Sequence, residues 1–387
     1  MGTAPPSAHW LGFSQPDFET TPWAVAAGAM FSSLDRLAIR EFISSLRHSI
    51  SCEISPQFTN GTQHLVFEVS FSDDLRWIAR LKIRRDTDEH FDDSVKSQAC
   101  AMKLVRERTR IPVPDVYAWD SGSQNVFGAP YIVMEAISGR ELHSKDPLFQ
   151  TFREKILDQM ASILIELSTI RFDTIGDIEQ LDGASATFGT PNFTSSRDYY
   201  TYYLDKDLQR SESIPENEKE KYIMENENCR RLLNQISLTD GPYPLTHFDF
   251  GIFNVLVDDG GDIVGVIDWS GVGVYPWEVF AQYPEPLRIT WPLRAMYSEQ
   301  NWKQHIEDQR YFKEALRKCE RDRGLPEIIS SVIGSESKLI AEGILGIGFG
   351  PERWRKRWMD ILEGIELRTK NSLYTTGSIT FEEVRKM

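Results

Sequence analysis

Three polar residues in one short stretch could carry chemistry together. The stretch reads LTHFDFGIFNVLVDDGGDIVGVIDW over residues 245–269 and contains Asp249, Asn254 and Asp268. Carboxylate and amide oxygens are hard ligands that suit Mg²⁺, and a positioned carboxylate can also accept a proton from a reacting hydroxyl. Phosphoryl transfer needs little more from a protein, because its catalysis rests on positioning and on stabilising charge. The stretch therefore favours metal-assisted phosphoryl transfer.

The local pattern predicts that these side chains lie close together. NVLVDD and DIVGVIDW read as two short strands joined by a tight turn at Gly260-Gly261. Such a hairpin puts Asn254 at the start of one strand and Asp268 at the end of the other. Asp249 precedes Asn254 by five residues, the D-x-x-x-x-N spacing of kinase catalytic loops. We therefore expect Asp249 to act as the catalytic base and Asn254 and Asp268 to bind Mg²⁺.

Each residue taken alone has a simpler structural explanation. Asp249 could be an acid in a turn, and Asn254 could cap a turn or a strand. Only their combination with Asp268 favours a functional site, because a motif gains weight from its structural context. His247 precedes Asp249 by two residues, and we expect it to be a packed, hydrogen-bonding support of the loop rather than an acid–base group.

The elements that must position this stretch can be read from periodicity. Apolar residues between Leu34 and Leu46 form one helical stripe, and strand-like runs follow over 63–71 and 75–83. A helical pattern from Ser94 ends at the IPVP run, and a strand covers 131–136. Beyond residue 137 the patterns are mainly helical, including an amphipathic helix from Ile156 to Leu167.

These elements predict an α+β chain with two lobes. At 387 residues the chain exceeds the size at which one hydrophobic core usually stops growing. We expect an N-terminal extension and helix over 1–50, a lobe built on a small antiparallel sheet over 51–136, and a helical lobe over 137–387 that contains the predicted catalytic stretch.

Several motifs in the sequence resemble those of a known family. HFDFGIFNVLVDD followed by VIDW looks like the Brenner motif and metal-binding segment of the aminoglycoside phosphotransferase and choline kinase-like family. The runs SPQF, WIAR, RERTRIPVP and PWEVF are similar to its fungal branch. The resemblance covers about Ser51 to Glu278. It implies a bilobal protein-kinase-like fold, with a nucleotide-binding lobe over 51–136 and a lobe over 137–387 that has the catalytic loop and acceptor site. It also implies ATP-dependent phosphorylation of a small molecule and the roles already given to the three polar residues.

By the same resemblance, one cation of the strand WIARLKI pairs with the nucleotide phosphates. Side chains alternate along a strand, so Ile78, Arg80 and Lys82 share a face. Arg80 fits the pairing position, because Ile78 then forms the wall against adenine. If Lys82 were the pairing cation, charged Arg80 would lie against the base. An exposed pair of basic strand residues is the structural alternative.

Two further segments match nucleotide-binding positions. The turn at residues 59–62, which contains Gly61, lies where the family carries its phosphate-covering loop. Met134, Glu135 and Ala136 resemble the hinge, whose main chain holds adenine. Since main-chain contacts do not select the base, the expected cofactors are Mg²⁺ and ATP, with GTP not excluded.

One position departs from the family pattern. Gln98 stands where relatives carry a helix glutamate that pairs with the strand cation. Glutamine can accept a hydrogen bond from an arginine but cannot neutralise it. Two hypotheses remain: an active kinase with a different arrangement, or a kinase-like protein that keeps the fold and nucleotide binding without efficient transfer. A serine hydrolase using His247 is disfavoured, because the chain has no G-x-S-x-G motif.

Composition excludes several other classes. A net charge of -15 opposes nucleic-acid binding, which depends on Lys and Arg. No apolar run approaches a membrane span, and the four cysteines form no metal-binding cluster. Because the N-terminal residues lack a secretory pattern, a cytoplasmic location is expected. The expected partner is a small-molecule acceptor.

Overall fold

A computed structural model describes residues 22–61, 63–83, 94–143, 146–182, 185–284, 287 and 299–349, together with residues 355, 358, 359 and 362. The elements up to residue 167 are α1 (Pro22–Ser33), α2 (Arg36–Ser45), β1 (Cys52–Asn60), β2 (His64–Phe71), β3 (Arg76–Lys82), α3 (Ser94–Arg108), β4 (Val116–Asp120), β5 (Tyr131–Glu135), β6 (Arg140–Glu141), α4 (Pro147–Thr151) and α5 (Arg153–Leu167). The later elements are β7 (Arg171–Phe172), β8 (Ile178–Asp182), β9 (Ser185–Phe188), α6 (Ser196–Arg210), α7 (Glu216–Gln235), β10 (Tyr243–Thr246), β11 (Val255–Val257), β12 (Ile263–Val266), β13 (Gly273–Val274), α8 (Trp277–Phe280), α9 (Glu299–Asp322), α10 (Ile328–Val332) and α11 (Glu336–Phe349).

Two compact units divide the chain. The first comprises Met1–Gln159, Asp177–Thr187 and Asp249–Val272, and the second comprises Met160–Gly176, Phe188–Phe248 and Gly273–Met387. Contacts therefore group the predicted catalytic stretch with the N-terminal sheet. The predicted domains with boundaries at residues 50 and 136 follow the order of the chain instead, and they stay a prediction.

A five-stranded antiparallel sheet in the order β1-β2-β3-β5-β4 forms the centre of the first unit. The predicted hairpin is confirmed as β2 and β3, in which Val66 lies opposite Arg80 and Phe67 opposite Ala79. Because side chains alternate across a strand, one face is apolar and the other carries Arg80. The apolar face packs in one buried cluster with Phe31 of α1 and Ile39 of α2.

The second predicted hairpin, β11 and β12, is also confirmed, with Val255 opposite Val266. Its turn is tied to α5, since Lys155 Nζ donates to the carbonyl of Gly260 at 2.8 Å and Gln159 Nε2 donates to that of Gly261 at 2.9 Å. Strand β12 is tied to the IPVP run as well, because Val266 N donates to the carbonyl of Pro112 at 2.7 Å. These bonds hold both ends of the hairpin in place.

In the second unit, β13-β10-β7 form a small sheet and the other described elements are mainly helical. A buried polar network joins α6 to α7. Asp207 is 0% exposed, and it accepts hydrogen bonds from the Tyr222 hydroxyl at 2.6 Å and from Asn226 Nδ2 at 2.9 Å. The Arg355 guanidinium forms an ion pair with the same carboxylate at 3.4 Å, so the buried charge is compensated.

No helix in the described ranges is long and apolar enough to cross a bilayer.

The hairpin turn yields a stability prediction. Gly261 has φ of +73°, and a Cβ added there would lie 2.7 Å from Cβ and Cγ of Phe152. Substituting Gly261→Ala should lower the free energy of unfolding by at least about 2 kcal/mol, because positive φ costs an L-residue about 1–2 kcal/mol and the contact adds strain. Urea denaturation measures the change.

The neighbouring glycine provides a matched control. A Cβ at Gly260 would come no closer than 3.4 Å to another atom, the Asp258 Oδ1. Gly260→Ala should therefore change the stability by less than about 0.5 kcal/mol, as is usual for a surface substitution. Equal effects of the two substitutions would contradict this description of the turn.

Candidate active site

Asn254 braces the predicted catalytic loop. This asparagine is 8% exposed and ends a 3₁₀ turn, Ile252–Asn254. Its Nδ2 donates to the backbone carbonyl of Asp249 at 2.7 Å and to Asp249 Oδ2 at 3.2 Å. The amide nitrogen therefore fixes the Asp249 carboxylate, and the amide oxygen is left as the atom suited to a cation. The Asp249 side chain itself is exposed.

The hairpin brings Asn254 next to the end of β12, as the sequence predicts. Ile267 N donates to the carbonyl of Asn254 at 2.9 Å, and Asp268 follows directly. Asp268 has φ of +54°, in the left-handed region that Asp tolerates better than most residues. Strained backbone of this kind clusters at functional sites, where the surrounding structure enforces it.

Asp268 forms an ion pair with Arg80. Arg80 Nη2 donates to Asp268 Oδ1 at 2.6 Å, and the Ser270 hydroxyl donates to the same oxygen at 2.8 Å. The Arg80 side chain is 10% exposed, whereas that of Asp268 is 45% exposed. Burial lowers the pKa of the Arg80 guanidinium and the Asp268 charge raises it. Since an arginine stays protonated in proteins, this site contains a nearly buried positive charge.

Three neutral side chains complete the surroundings of Arg80. Nη1 donates to Gln98 Oε1 at 2.6 Å, and Nη2 donates to Ser270 Oγ at 2.8 Å and to His64 Nδ1 at 3.0 Å. Gln98 is 1% exposed on α3. Lys82, the other predicted candidate, instead donates to Gln63 Oε1 at 2.8 Å. The structure thus places Arg80, rather than Lys82, beside the predicted metal ligand.

His64 is a site residue that the sequence analysis missed. It lies at the start of β2 and is 8% exposed. Burial and the Arg80 charge lower its pKa to about 2, so the imidazole is neutral and accepts a hydrogen bond at Nδ1. The alternation of β2 could have revealed it, because His64 is two residues from Val66, the partner of Arg80.

The predicted adenine-binding residues lie on the two neighbouring inner strands β3 and β5 of the same sheet. Ile78 is buried opposite Met134 of β5. Two of the predicted hinge amides are engaged within the sheet: Glu135 N donates to the carbonyl of Asp115 at 2.8 Å, and Ala136 N donates to that of Arg76 at 3.3 Å.

One of the two remaining predicted residues, Gly61, adjoins the Arg80 cluster through the main chain of His64. Gly61 is exposed after β1, and its N–H donates to the carbonyl of His64 at 3.1 Å. Thr62 lies outside the described residues. His247 is 2% exposed in the second unit, directly after β10. Its burial fits a packed residue, while its predicted support of the loop stays a prediction.

The donor set fits a magnesium ion. Asn254 offers an amide oxygen and Asp268 a carboxylate, both hard ligands. Within the described ranges no group of three or more His, Cys, Asp or Glu residues is placed to hold a metal. Such a cage is not required, since Mg²⁺ is commonly bound through one or two protein carboxylates, waters and substrate phosphates.

Comparison with known families gives one match over more than half of the chain. A sequence model of the phosphotransferase enzyme family, APH, matches residues 56–278. This range includes the five-stranded sheet from Pro56 onward and the whole stretch from Asp249 to Asp268.

Solved structures show the same fold. A protein of Ralstonia eutropha JMP134, described as a candidate aminoglycoside phosphotransferase, superimposes with a TM-score of 0.56 at 15% identity, covering 87% of this chain and 98% of that one. A thermostable mutant of the aminoglycoside phosphotransferase APH(4)-Ia, in ternary complex with AMP-PNP and hygromycin B, gives a TM-score of 0.52 at 15% identity, covering 87% and 100%. The predicted kinase-like α+β fold is confirmed.

Curated relatives match only in part. "Altered inheritance of mitochondria protein 9, mitochondrial" of Clavispora lusitaniae is 23% identical over 38% of this chain. A subtelomeric hrmA-associated cluster protein of Aspergillus fumigatus is 27% identical over 33% of it. The match spans 25% of the length of each relative. The predicted fungal-type branch fits these fungal relatives.

The cytoplasmic location expected from the N-terminal sequence is wrong on this evidence. Several of the relatives are named as mitochondrial proteins, including those of Clavispora lusitaniae and Meyerozyma guilliermondii. The expectation rested on the lack of a secretory pattern, which does not distinguish the cytoplasm from an organelle.

The buried imidazole predicts a pH dependence of stability. The folded-state pKa of His64, about 2, lies far below the ordinary value of 6.5, so the unfolded state binds the extra proton. Stability from His64 is present above pH 6.5 and is lost as the pH falls. Between pH 7 and pH 5 the wild type should lose about 2 kcal/mol more unfolding free energy than His64→Gln.

Chemical denaturation at both pH values measures this difference. His64→Gln is the matched variant, because an amide oxygen can still accept the hydrogen bond from Arg80 while it does not titrate. Equal acid sensitivity of the two proteins would mean that His64 is not buried in its neutral form.

Proposed function

The chain belongs to the phosphotransferase enzyme family, and from this premise we propose that it transfers the γ-phosphoryl group of a nucleotide triphosphate to a hydroxyl or amine of a small molecule, with Mg²⁺ as cofactor. One observation carries the proposal. One hairpin of the first unit and the loop before it hold Asp249, Asn254 and Asp268 in adjoining positions, and Asp268 contacts the strand cation Arg80. These are the parts that phosphoryl transfer requires of a protein.

Each residue has a distinct role in the proposal. The Asp249 carboxylate is exposed and held by Asn254 Nδ2, so it can accept the proton of the attacking group. Arg80 offers a forked pair of donors that suits phosphate oxygens. Asn254 and Asp268 would hold Mg²⁺, which neutralises charge on the phosphates when it is bound.

The proposed nucleotide is ATP, with GTP as an alternative. Ile78 would contact the base, and the main chain of residues 134–136 would provide the polar contacts, with Gly61 and Gln98 supporting the phosphate side. Two of the amides in this segment, Glu135 N and Ala136 N, are already engaged in the sheet, so the contacts to the base would involve its other main-chain groups. The solved APH(4)-Ia complex with AMP-PNP supports the choice of an adenine nucleotide.

A second candidate function is nucleotide binding without transfer. The observation that favours it is the neutral Gln98 beside Arg80, at 2.6 Å, where the family carries a glutamate. A protein of this kind would bind Mg²⁺ and ATP but release no γ-phosphate to any acceptor. Transfer assays against pooled small-molecule alcohols and amines separate the two candidates.

We also propose that the chain acts in mitochondria. The proposal rests on the names of the partial relatives alone. A fluorescent fusion of the protein expressed in a fungal host should coincide with a mitochondrial dye. A diffuse signal that excludes the dye would refute the location and leave the chemistry untouched.

The division of roles predicts different defects for two carboxylates. Asp249→Asn should keep Mg²⁺-dependent nucleotide binding and lower the transfer rate by about 10²–10⁴-fold, since only the base is lost. Asp268→Ala should abolish Mg²⁺-dependent binding itself. Titration calorimetry with AMP-PNP and a γ-phosphate transfer assay give the two readouts.

Asp259→Asn is the control, because this exposed acid lies in the same hairpin turn and has no place in the site. It should resemble the wild type in both assays. Equal loss of nucleotide binding in Asp249→Asn and Asp268→Ala would refute the assigned roles.

A further inference from the structure

The counter-ion of Arg80 is unusual. In the described part of the chain, the ion pair of Arg80 is with Asp268, at 2.6 Å. The helix residue that faces Nη1 is the neutral Gln98. A guanidinium that is nine-tenths buried needs compensation, because an uncompensated buried charge is strongly destabilising. Asp268 therefore balances the charge of Arg80 and is at the same time the carboxylate of the predicted metal site.

The two tasks of Asp268 compete. Its Oδ1 already accepts hydrogen bonds from Arg80 Nη2 and from the Ser270 hydroxyl. A magnesium ligand must approach the ion at about 2.0–2.1 Å, and a cation at that distance would also repel the neighbouring guanidinium. Metal binding at Asp268 is thus disfavoured while Arg80 holds this oxygen.

We propose that the Arg80–Asp268 ion pair blocks metal binding at Asp268 until nucleotide phosphates bind Arg80 in place of Asp268. We call this ion pair the latch. The proposal rests on the proposed function, since it needs a nucleotide that offers phosphates to Arg80. Its consequence is that the protein alone binds a divalent cation weakly. Metal affinity then rises with nucleotide binding, as linkage between two sites requires.

The other partners of Arg80 are neutral, which allows the Arg80–Asp268 ion pair to break when nucleotide binds. Gln98, His64 and Ser270 each accept a hydrogen bond from the guanidinium without charge. They satisfy its donors, yet none provides a permanent counter-ion that would hold Arg80 away from Asp268. A glutamate at position 98 would provide one, and Asp268 would then be released for metal without nucleotide.

Metal binding in the absence of nucleotide tests the latch. The probe is Mn²⁺, followed by the loss of its free electron paramagnetic resonance signal on addition of full-length protein. Arg80→Met should bind Mn²⁺ roughly 5- to 150-fold more tightly than the wild type, the usual range of coupling between sites. Lys82→Met removes the same charge from the same strand face, but Lys82 pairs with Gln63 rather than with Asp268. This variant therefore measures the effect of removing a nearby positive charge alone, and it should change the Mn²⁺ affinity by less than about twofold.

A second variant covers the case in which Arg80→Met fails to fold. Gln98→Glu keeps Arg80 and places a carboxylate at the atom it already contacts, and it should tighten Mn²⁺ binding in the same direction. Gln63→Glu is its control, because it adds the same charge beside Lys82 instead. Circular dichroism verifies the fold of all four variants.

The outcomes separate the latch from the proposed function. Tighter Mn²⁺ binding in Arg80→Met or Gln98→Glu, beyond that of the matched control, supports the latch. Affinities equal to the controls, in a wild type that does bind Mg²⁺ with AMP-PNP, overturn the latch alone. A wild type that binds no nucleotide with Mg²⁺ refutes the proposed function and, with it, the release step.

Discussion

A nearly buried positive charge organises the first unit. Arg80 projects from the central strand of a five-stranded sheet, on the face opposite the apolar core. Its Nη1 and Nη2 groups form hydrogen bonds with side chains of other elements. His64 belongs to the adjacent strand, Gln98 to helix α3, and Asp268 to the end of the distant hairpin. Because burying a charge without partners costs several kcal/mol, these three elements are tied to one another through a single side chain.

The hairpin contributes the second constraint. It is anchored to α5 through Lys155 and Gln159 and to the IPVP run through Pro112, so the ends of both strands have defined positions. The backbone of Asp268, just beyond the hairpin, is in the left-handed region, and its carboxylate accepts a hydrogen bond from Arg80. Strain at a residue that binds a cation in the proposed function is consistent with geometry set by the surrounding fold rather than by local preference.

Much of this arrangement could be predicted from the sequence, because it depends on local patterns. Alternation along β3 placed Arg80 and Ile78 on one face, and the Gly260-Gly261 turn predicted the hairpin that brings Asn254 to the side of Asp268. The part that escaped prediction depends on contacts between residues distant in sequence. His64 is 16 residues from Arg80, and Asp268 is 188 residues away. The family pattern assigned Arg80 to the phosphates and Asp268 to the metal ion, so a direct contact between these two residues could not be inferred from it.

Calorimetric titration of AMP-PNP into the wild-type protein, with and without Mg²⁺, tests the central claim most directly. Because Asp268 and Asn254 are the proposed oxygen ligands and Arg80 the proposed phosphate donor, binding should be measurable with Mg²⁺ and at least tenfold weaker without it, about 1.4 kcal/mol of binding free energy. Nucleotide binding that is equal with and without Mg²⁺, or absent in both titrations, would contradict the assignment of this hairpin as a magnesium–nucleotide site.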